Sequence, residues 1–219
     1  MARGIIVAKP AGGTTAGRIL ITDTSSSATS STGTATSGTT SATPALTLGS
    51  YVSFNEDTTA KVSDIVDFTF DATGAAAKLT LVKSGTIVTG TYTDNIVVAA
   101  GQAVLINGAA NFDGKITVNG GILIVIENTH AEGKIESASP GSFVMIDGCT
   151  IEGKVEVTGT GTMIIQNTTV EGKISSNGNI YASVTGSTIK GKIEILNATS
   201  CFNSGNTIAG ESNTPNCKA

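Results

Sequence analysis

Ile151-Glu-Gly-Lys-Val-Glu-Val157 and, after a short polar turn, Thr162-Met-Ile-Ile-Gln-Asn167 are the stretch of this 219-residue chain that decides its fold. In the first segment apolar and charged residues alternate, the period of a β-strand with one buried face. The second is a short apolar run of strand length. The unit recurs along the chain, marked by Gly114-Lys115, Gly133-Lys134, Gly153-Lys154, Gly172-Lys173 and Gly191-Lys192. The intervals between lysines are 19, 20, 19 and 19 residues, and a fixed period of this size marks a repeat architecture.

Alignment on the lysines produces columns. Three residues before each lysine stand Phe112, Ala131, Ile151, Val170 and Ile189, and one residue after it Ile116, Ile135, Val155, Ile174 and Ile193. Eight residues before the next lysine stand Ile126, Ile146, Ile165 and Val184. Stacked at about 4.8 Å per coil, such columns become apolar ladders inside a tube. The alternation sends Glu132, Lys134 and Glu136 of one coil, and Glu152, Lys154 and Glu156 of the next, to the outer wall. Asp94–Val98 upstream and Ile208–Glu211 downstream continue the register. The expected solenoid has six or so coils of two strands each, 19–20 residues per coil, and a length of roughly 30 Å. The glycine of each Gly-Lys pair marks a tight bend or a place where no side chain fits. One chain winding on itself suits these short turns better than three chains intertwined.

Composition agrees with all-β structure. Aromatic residues make up 4% and charged residues 14%, against 27 glycines, so the core must be built from Ile, Val and Ala between many turns. A net charge of −4 and only two arginines, Arg3 and Arg18, argue against nucleic acid as a partner, because phosphate binding needs concentrated cations. No segment has the roughly 18 apolar residues of a membrane span. The start, Met1 to Val7, lacks the apolar core of a secretory signal. The expected organisation is a small barrel over 1–66, a connecting hairpin over 67–87, and the solenoid with a C-terminal cap over 88–219. Inside the first region a Ser/Thr-rich loop, 24–43, carries too little apolar surface to order itself.

The first region carries a family resemblance. Ala2-Arg-Gly-Ile-Ile-Val7, Ala16-Gly-Arg-Ile-Leu-Ile21, Leu48-Gly-Ser-Tyr-Val-Ser-Phe54 and Ala60-Lys-Val-Ser-Asp-Ile-Val66 together resemble a cold-shock-type OB barrel, with the last two as its fourth and fifth strands. The resemblance implies an oligonucleotide-binding fold, but the family's stacking aromatics are missing from the second strand. The Ser/Thr run stands in place of the third strand. A scaffold role is therefore expected in place of nucleic-acid binding. The repeats resemble a single-chain parallel β-helix. Barrel followed by β-helix is similar to the spikes of phage tails and contractile injection machines.

The chemistry-bearing residues have structural readings. The ladder Lys115, Lys134, Lys154, Lys173 and Lys192 could bind an anionic polymer, but Asp113, Glu132, Glu152 and Glu171 stand two residues before their lysines and are expected to neutralise them. The acids are spread one or two per coil, whereas polysaccharide-cleaving sites cluster carboxylates, often with Ca²⁺. The Gly-Lys pairs open strands and lack a following Ser or Thr, so they are not phosphate loops. His130 is the single histidine and stands in a turn. Asp147-Gly148, Asn128 and Asn167 are turn residues. Cys201 and Cys217 are candidates for a disulfide, and Cys149 occupies a position held by Thr129 and Thr168 in other repeats. No enzyme activity, metal or cofactor is expected. The expectation is a structural protein of a virion or other extracellular particle: a spike, fibre or decoration protein. Its partners would be copies of itself or other particle proteins. A secreted glycan-binding module and a cytoplasmic polymer resembling bactofilins are the alternatives.

Overall fold

The computed structural model describes residues 1–9, 16–24, 47–55, 59–71, 73–108 and 111–219. Among them there is no helix. The strands fall into two units, Met1–Gly85 and Thr86–Ala219. The expected loop 24–43 lies, but for its first residue, outside the described residues.

The first unit is a closed five-stranded barrel of β1 (Ala2–Ala8), β2 (Gly17–Asp23), β3 (Tyr51–Phe54), β4 (Ile65–Phe70) and β5 (Ala76–Lys83). Around the barrel the order is β1-β2-β3-β5-β4. β3 and β5 run parallel and the other pairs antiparallel. Its core gathers Ile6, Ile19, Ile21, Phe54, Val66 and Phe68, all at most 1% exposed. Arg3 reaches across from β1 to β4, where its Nε and a terminal nitrogen donate to the two Asp67 carboxylate oxygens at 2.8 and 3.1 Å. This bidentate geometry holds the guanidinium pKa above its ordinary value.

The barrel differs from the sequence expectation in two ways. Among the described residues the strand ending at Phe54 is the third of the barrel, where the fourth was expected. Ala60–Val66 is mostly a turn: the Asp64 carboxylate accepts the Lys61 N–H at 2.7 Å, and Ser63 takes a left-handed φ of 79°. Only Ile65 and Val66 enter a strand. The segment 67–87, read as a connecting hairpin, instead supplies most of β4 and all of β5. Short apolar runs separated by a Gly/Ala turn look alike whether they link two units or close one, and only their pairing with β1 and β3 distinguishes the cases.

The second unit is a parallel solenoid of about eight turns. It opens with β6 (Thr86–Val88), β7 (Ile96–Ala99), β8 (Ala103–Asn107) and β9 (Asn111–Phe112). The next two coils are β10 (Ile116–Asn119), β11 (Ile122–Ile126) and β12 (His130–Ala131), then β13 (Ile135–Ser137), β14 (Phe143–Asp147) and β15 (Thr150–Ile151). After them come β16 (Val155–Thr158), β17 (Thr162–Gln166) and β18 (Thr169–Val170), then β19 (Ile174–Asn177), β20 (Tyr181–Thr185) and β21 (Thr188–Ile189). The last strands are β22 (Ile193–Leu196), β23 (Ser200–Ser204), β24 (Thr207–Ile208) and β25 (Ser212–Asn213).

Each coil thus has three sides where two were expected. Two sides are seven-stranded sheets and the third, of two-residue strands, has six. The third strand is too short to show a period in sequence, although its apolar column was legible. The count of coils exceeds six because β6, before Asp94, and β25, after Glu211, extend the stack beyond the repeats. Seven strands at about 4.8 Å spacing give each long side a length of about 30 Å.

Inside run the expected ladders. Ile116, Ile135, Val155, Ile174 and Ile193 are all fully buried, and so are Phe112, Ala131, Ile151, Val170 and Ile189. Tyr92 extends the latter column, its ring stacked on Phe112 at 5.6 Å between centroids. One column is corrected: Val125, not Ile126, pairs with Ile146. The cause is an extra residue at the following corner, where Glu127 and Asn128 both have positive φ. Other coils turn the same corner with a single left-handed residue, Gly148 at 66°, Asn167 at 51° and Gly186 at 58°. Glycine and asparagine tolerate this conformation best, which accounts for their alternation at this place.

The Gly-Lys glycines serve a different purpose. A Cβ built on Gly133, Gly153, Gly172 or Gly191 would lie closer than 3.0 Å to the carbonyl oxygen of the glycine one coil earlier. The backbones touch along this edge, and no side chain fits.

Candidate functional site

Two features of the solenoid carry charge or covalent chemistry: the lysine ladder on the outer wall and the clasp at the C-terminal end. In the ladder, each lysine opens the first strand of its coil, and the parallel pairing stacks Glu136 on Glu156 and Ser175 on Glu194. Four of the ladder lysines meet a glutamate of the following coil, and two of these also meet one of their own coil. Lys115 Nζ meets Glu136 at 2.6 Å and Lys173 Nζ meets Glu194 at 2.8 Å. Lys134 binds Glu136 at 2.8 Å and also Glu156, and Lys192 binds Glu211 at 3.3 Å and Glu194 at 3.8 Å.

The neutralising acids are therefore not those two residues before each lysine. Those residues sit on the far side of the glycine bend, whereas the glutamate two residues after the next coil's lysine stands one strand spacing away on the same face. Of the acids expected to neutralise the ladder, Glu152 meets His130 at 3.0 Å and Glu171 meets Lys190. Lys154 has no ion pair among the described residues, and Ser175 occupies the place where a glutamate would meet it. Hydrogen bonds from Lys115 and then Lys134 hold the Glu136 carboxyl below its ordinary pKa of 4.5. The Lys173 ammonium does the same for Glu194, and Lys134 is itself raised by Glu136 and Glu156. These groups are solvated, so the pairs add little to stability.

A polar column runs along the corner between the second and third sides. The Thr168 hydroxyl donates to the Gln166 carbonyl and the Ser187 hydroxyl to the Thr185 carbonyl. The N–H groups of Cys149 and Thr168 donate to the Thr168 and Ser187 hydroxyls, each one coil further on. The Ser187 N–H donates likewise to Asn206 Oδ1 at 2.8 Å. Cys149 fills one rung, its thiol donating to the Asp147 carbonyl at 3.2 Å. Burial pushes that thiol's pKa up to about 12, which removes the thiolate a nucleophile needs.

At the C-terminal end Cys201 and Cys217 form a disulfide, with their Cα atoms 4.4 Å apart. The bond closes a separation of 16 residues, a loop size that restricts the unfolded chain by about 3 kcal/mol in the chain-entropy account. It fastens the tail along β23. The Lys218 N–H donates to the Cys201 carbonyl at 3.0 Å and the Asn203 N–H to the Lys218 carbonyl at 2.9 Å. The Lys218 ammonium lies 6.0 Å from the centre of the Phe202 ring.

The structure also assembles two aromatic groupings that the sequence did not announce. Tyr181 and Phe202 lie diagonally on adjacent strands of the outer wall, 5.8 Å apart and half-exposed. On the barrel, the Arg18 guanidinium lies 5.3 Å over the Tyr51 ring. In each case the partners are far apart in sequence or on different strands, so only register unites them. Among the described residues no group of three His, Cys, Asp or Glu side chains is placed to hold a metal ion, and no helix is long and apolar enough to cross a membrane. Comparison with known protein families, curated proteins and solved structures returned no match.

Proposed function

We propose that this chain is a non-enzymatic structural protein of an extracellular particle, a spike, fibre or decoration protein, in which a cold-shock-like OB barrel accompanies a rigid β-solenoid rod. The observation that carries this reading is the ladder itself. Four of its five lysines are engaged by carboxylates of neighbouring coils, so the regular charges stiffen and solvate a wall instead of converging on a ligand. The disulfide at the rod's end suits an oxidising compartment. Localisation of the protein in purified particles by immunogold labelling tests this directly. Labelling confined to the cytoplasm would overturn it, as would polysaccharide cleavage by the pure chain.

One observation favours a second reading, a glycan-binding module. Tyr181 and Phe202 present adjacent half-exposed rings on the wall, and sugar rings stack on such aromatic faces through their C–H groups. Binding on a glycan array that is lost in Tyr181→Ala would establish it.

A further inference from the structure

We propose that residues 214–219 are a blocking strand, fastened by the Cys201–Cys217 bond, and that the β23 edge it covers receives strand β6 of a second copy of this chain when the tail is released. This inference stands on the solenoid's edges and does not depend on the particle reading.

Every strand of the rod runs parallel to its neighbours. The first edge of one copy is therefore complementary in direction to the last edge of another. The β23 edge already accepts an added strand, since Lys218 pairs with Phe202 in parallel and both flanking backbone hydrogen bonds are made. The tail is held there by few side chains, chiefly Thr214 accepting from Asn203 at 3.1 Å and Lys218 over the Phe202 ring, so the disulfide is its main fastening.

At the opposite edge, β6 pairs on one side only among the described residues, with β8. It leaves Ile87 45% exposed, and Val97 in the neighbouring edge strand β7 is 59% exposed. Apolar residues on an open strand edge are what pairing with another chain covers. Registers agree as well. Ile87 heads the column that passes through Leu105, Ile124, Met145, Ile164 and Ser183 to Phe202. Setting β6 of a second copy on β23 in that same register places its Ile87 beside Phe202 and its Thr86 beside Cys201. The contact is heterologous, so repeated addition makes a linear chain of rods.

Release is a two-electron reduction. A dithiol reductant gives two electrons and two protons to the Cys201–Cys217 bond, leaving two thiols, and is itself oxidised to a disulfide.

The test uses the full chain in sedimentation velocity over a range of protein concentrations. Oxidised protein is expected to sediment as one species. Reduced protein, and Cys217→Ser without reductant, are expected to show a weight-average mass that at least about doubles as concentration rises. Lys218→Pro, which removes the N–H donated to Cys201 while keeping both cysteines, should associate to an intermediate extent. Adding Ile87→Lys to Cys217→Ser should restore the single species. Maleimide labelling of Cys201 reports that the tail has left its edge. Labelled Cys201 with unchanged sedimentation would overturn the proposal, and so would association that persists with Ile87→Lys. Failure of Cys201 to label after reduction, at protein concentrations where sedimentation shows only the single species, equally overturns it, because the bond would then not be what holds the tail.

Discussion

Lys154 stands one coil before Ser175 in the register that elsewhere sets Lys134 against Glu156 and Lys173 against Glu194. Among the described residues it is the one rung of the ladder without an ion pair. Ser175→Glu is expected to complete it and to raise stability by about 0.5 kcal/mol at low ionic strength, with the gain disappearing at high salt. Urea unfolding of both proteins at two salt concentrations checks this. A salt-independent gain would mean the glutamate acts through some other contact.

Acid should loosen the same wall. Glu136 and Glu194 are held below their ordinary pKa of 4.5 by lysines. A carboxylate with a depressed folded-state pKa stabilises the fold above 4.5, and that contribution is lost as pH falls below it. Stability should therefore drop from that value downward, and Glu136→Gln should flatten the drop by removing the partner of both Lys115 and Lys134. Denaturant midpoints measured across that interval for the two proteins decide the matter; parallel curves would contradict it.

Two glycines separated by five positions should respond to different degrees. Gly153→Ala drives a Cβ into the Gly133 carbonyl, a backbone atom with no room to yield, and should cost about 3 kcal/mol. Gly148 has a φ of 66° and open space around its missing Cβ. Gly148→Asn should be close to neutral, because Asn128 and Asn167 already turn the same corner, while Gly148→Ala should cost about 1 kcal/mol. Thermal unfolding of the three variants gives the ranking.

Cys149 should be inert in the folded protein. Its thiol pKa, raised by burial to about 12 from an ordinary 9.0, favours the folded state below 9.0 and ceases to do so as pH climbs toward 12. A thiol reagent at neutral pH should label it only after denaturation. Cys149→Thr should be tolerated within about 0.5 kcal/mol, since Thr129 and Thr168 fill the same rung and donate to the analogous kind of carbonyl. Rapid labelling of the native protein would show that the rung opens locally.

The period of the lysines, the alternation around each one and the Ile/Val columns needed nothing beyond the order of residues, because a stack of coils repeats one local rule at every turn. The inward columns, the outward charges and the forbidden side chain at each Gly-Lys pair were legible for that reason. What folding alone decided is the pairing between coils. Which acid meets which lysine, the shift from Ile126 to Val125, the third side of the tube, the diagonal of Tyr181 and Phe202, and the closure of 67–83 into the barrel all depend on register across about 20 residues or more. A single extra residue at a corner, as at Glu127–Asn128, moves a column without disturbing the local alternation. Hydrogen bonding between neighbouring strands, which no local pattern encodes, sets the outcome.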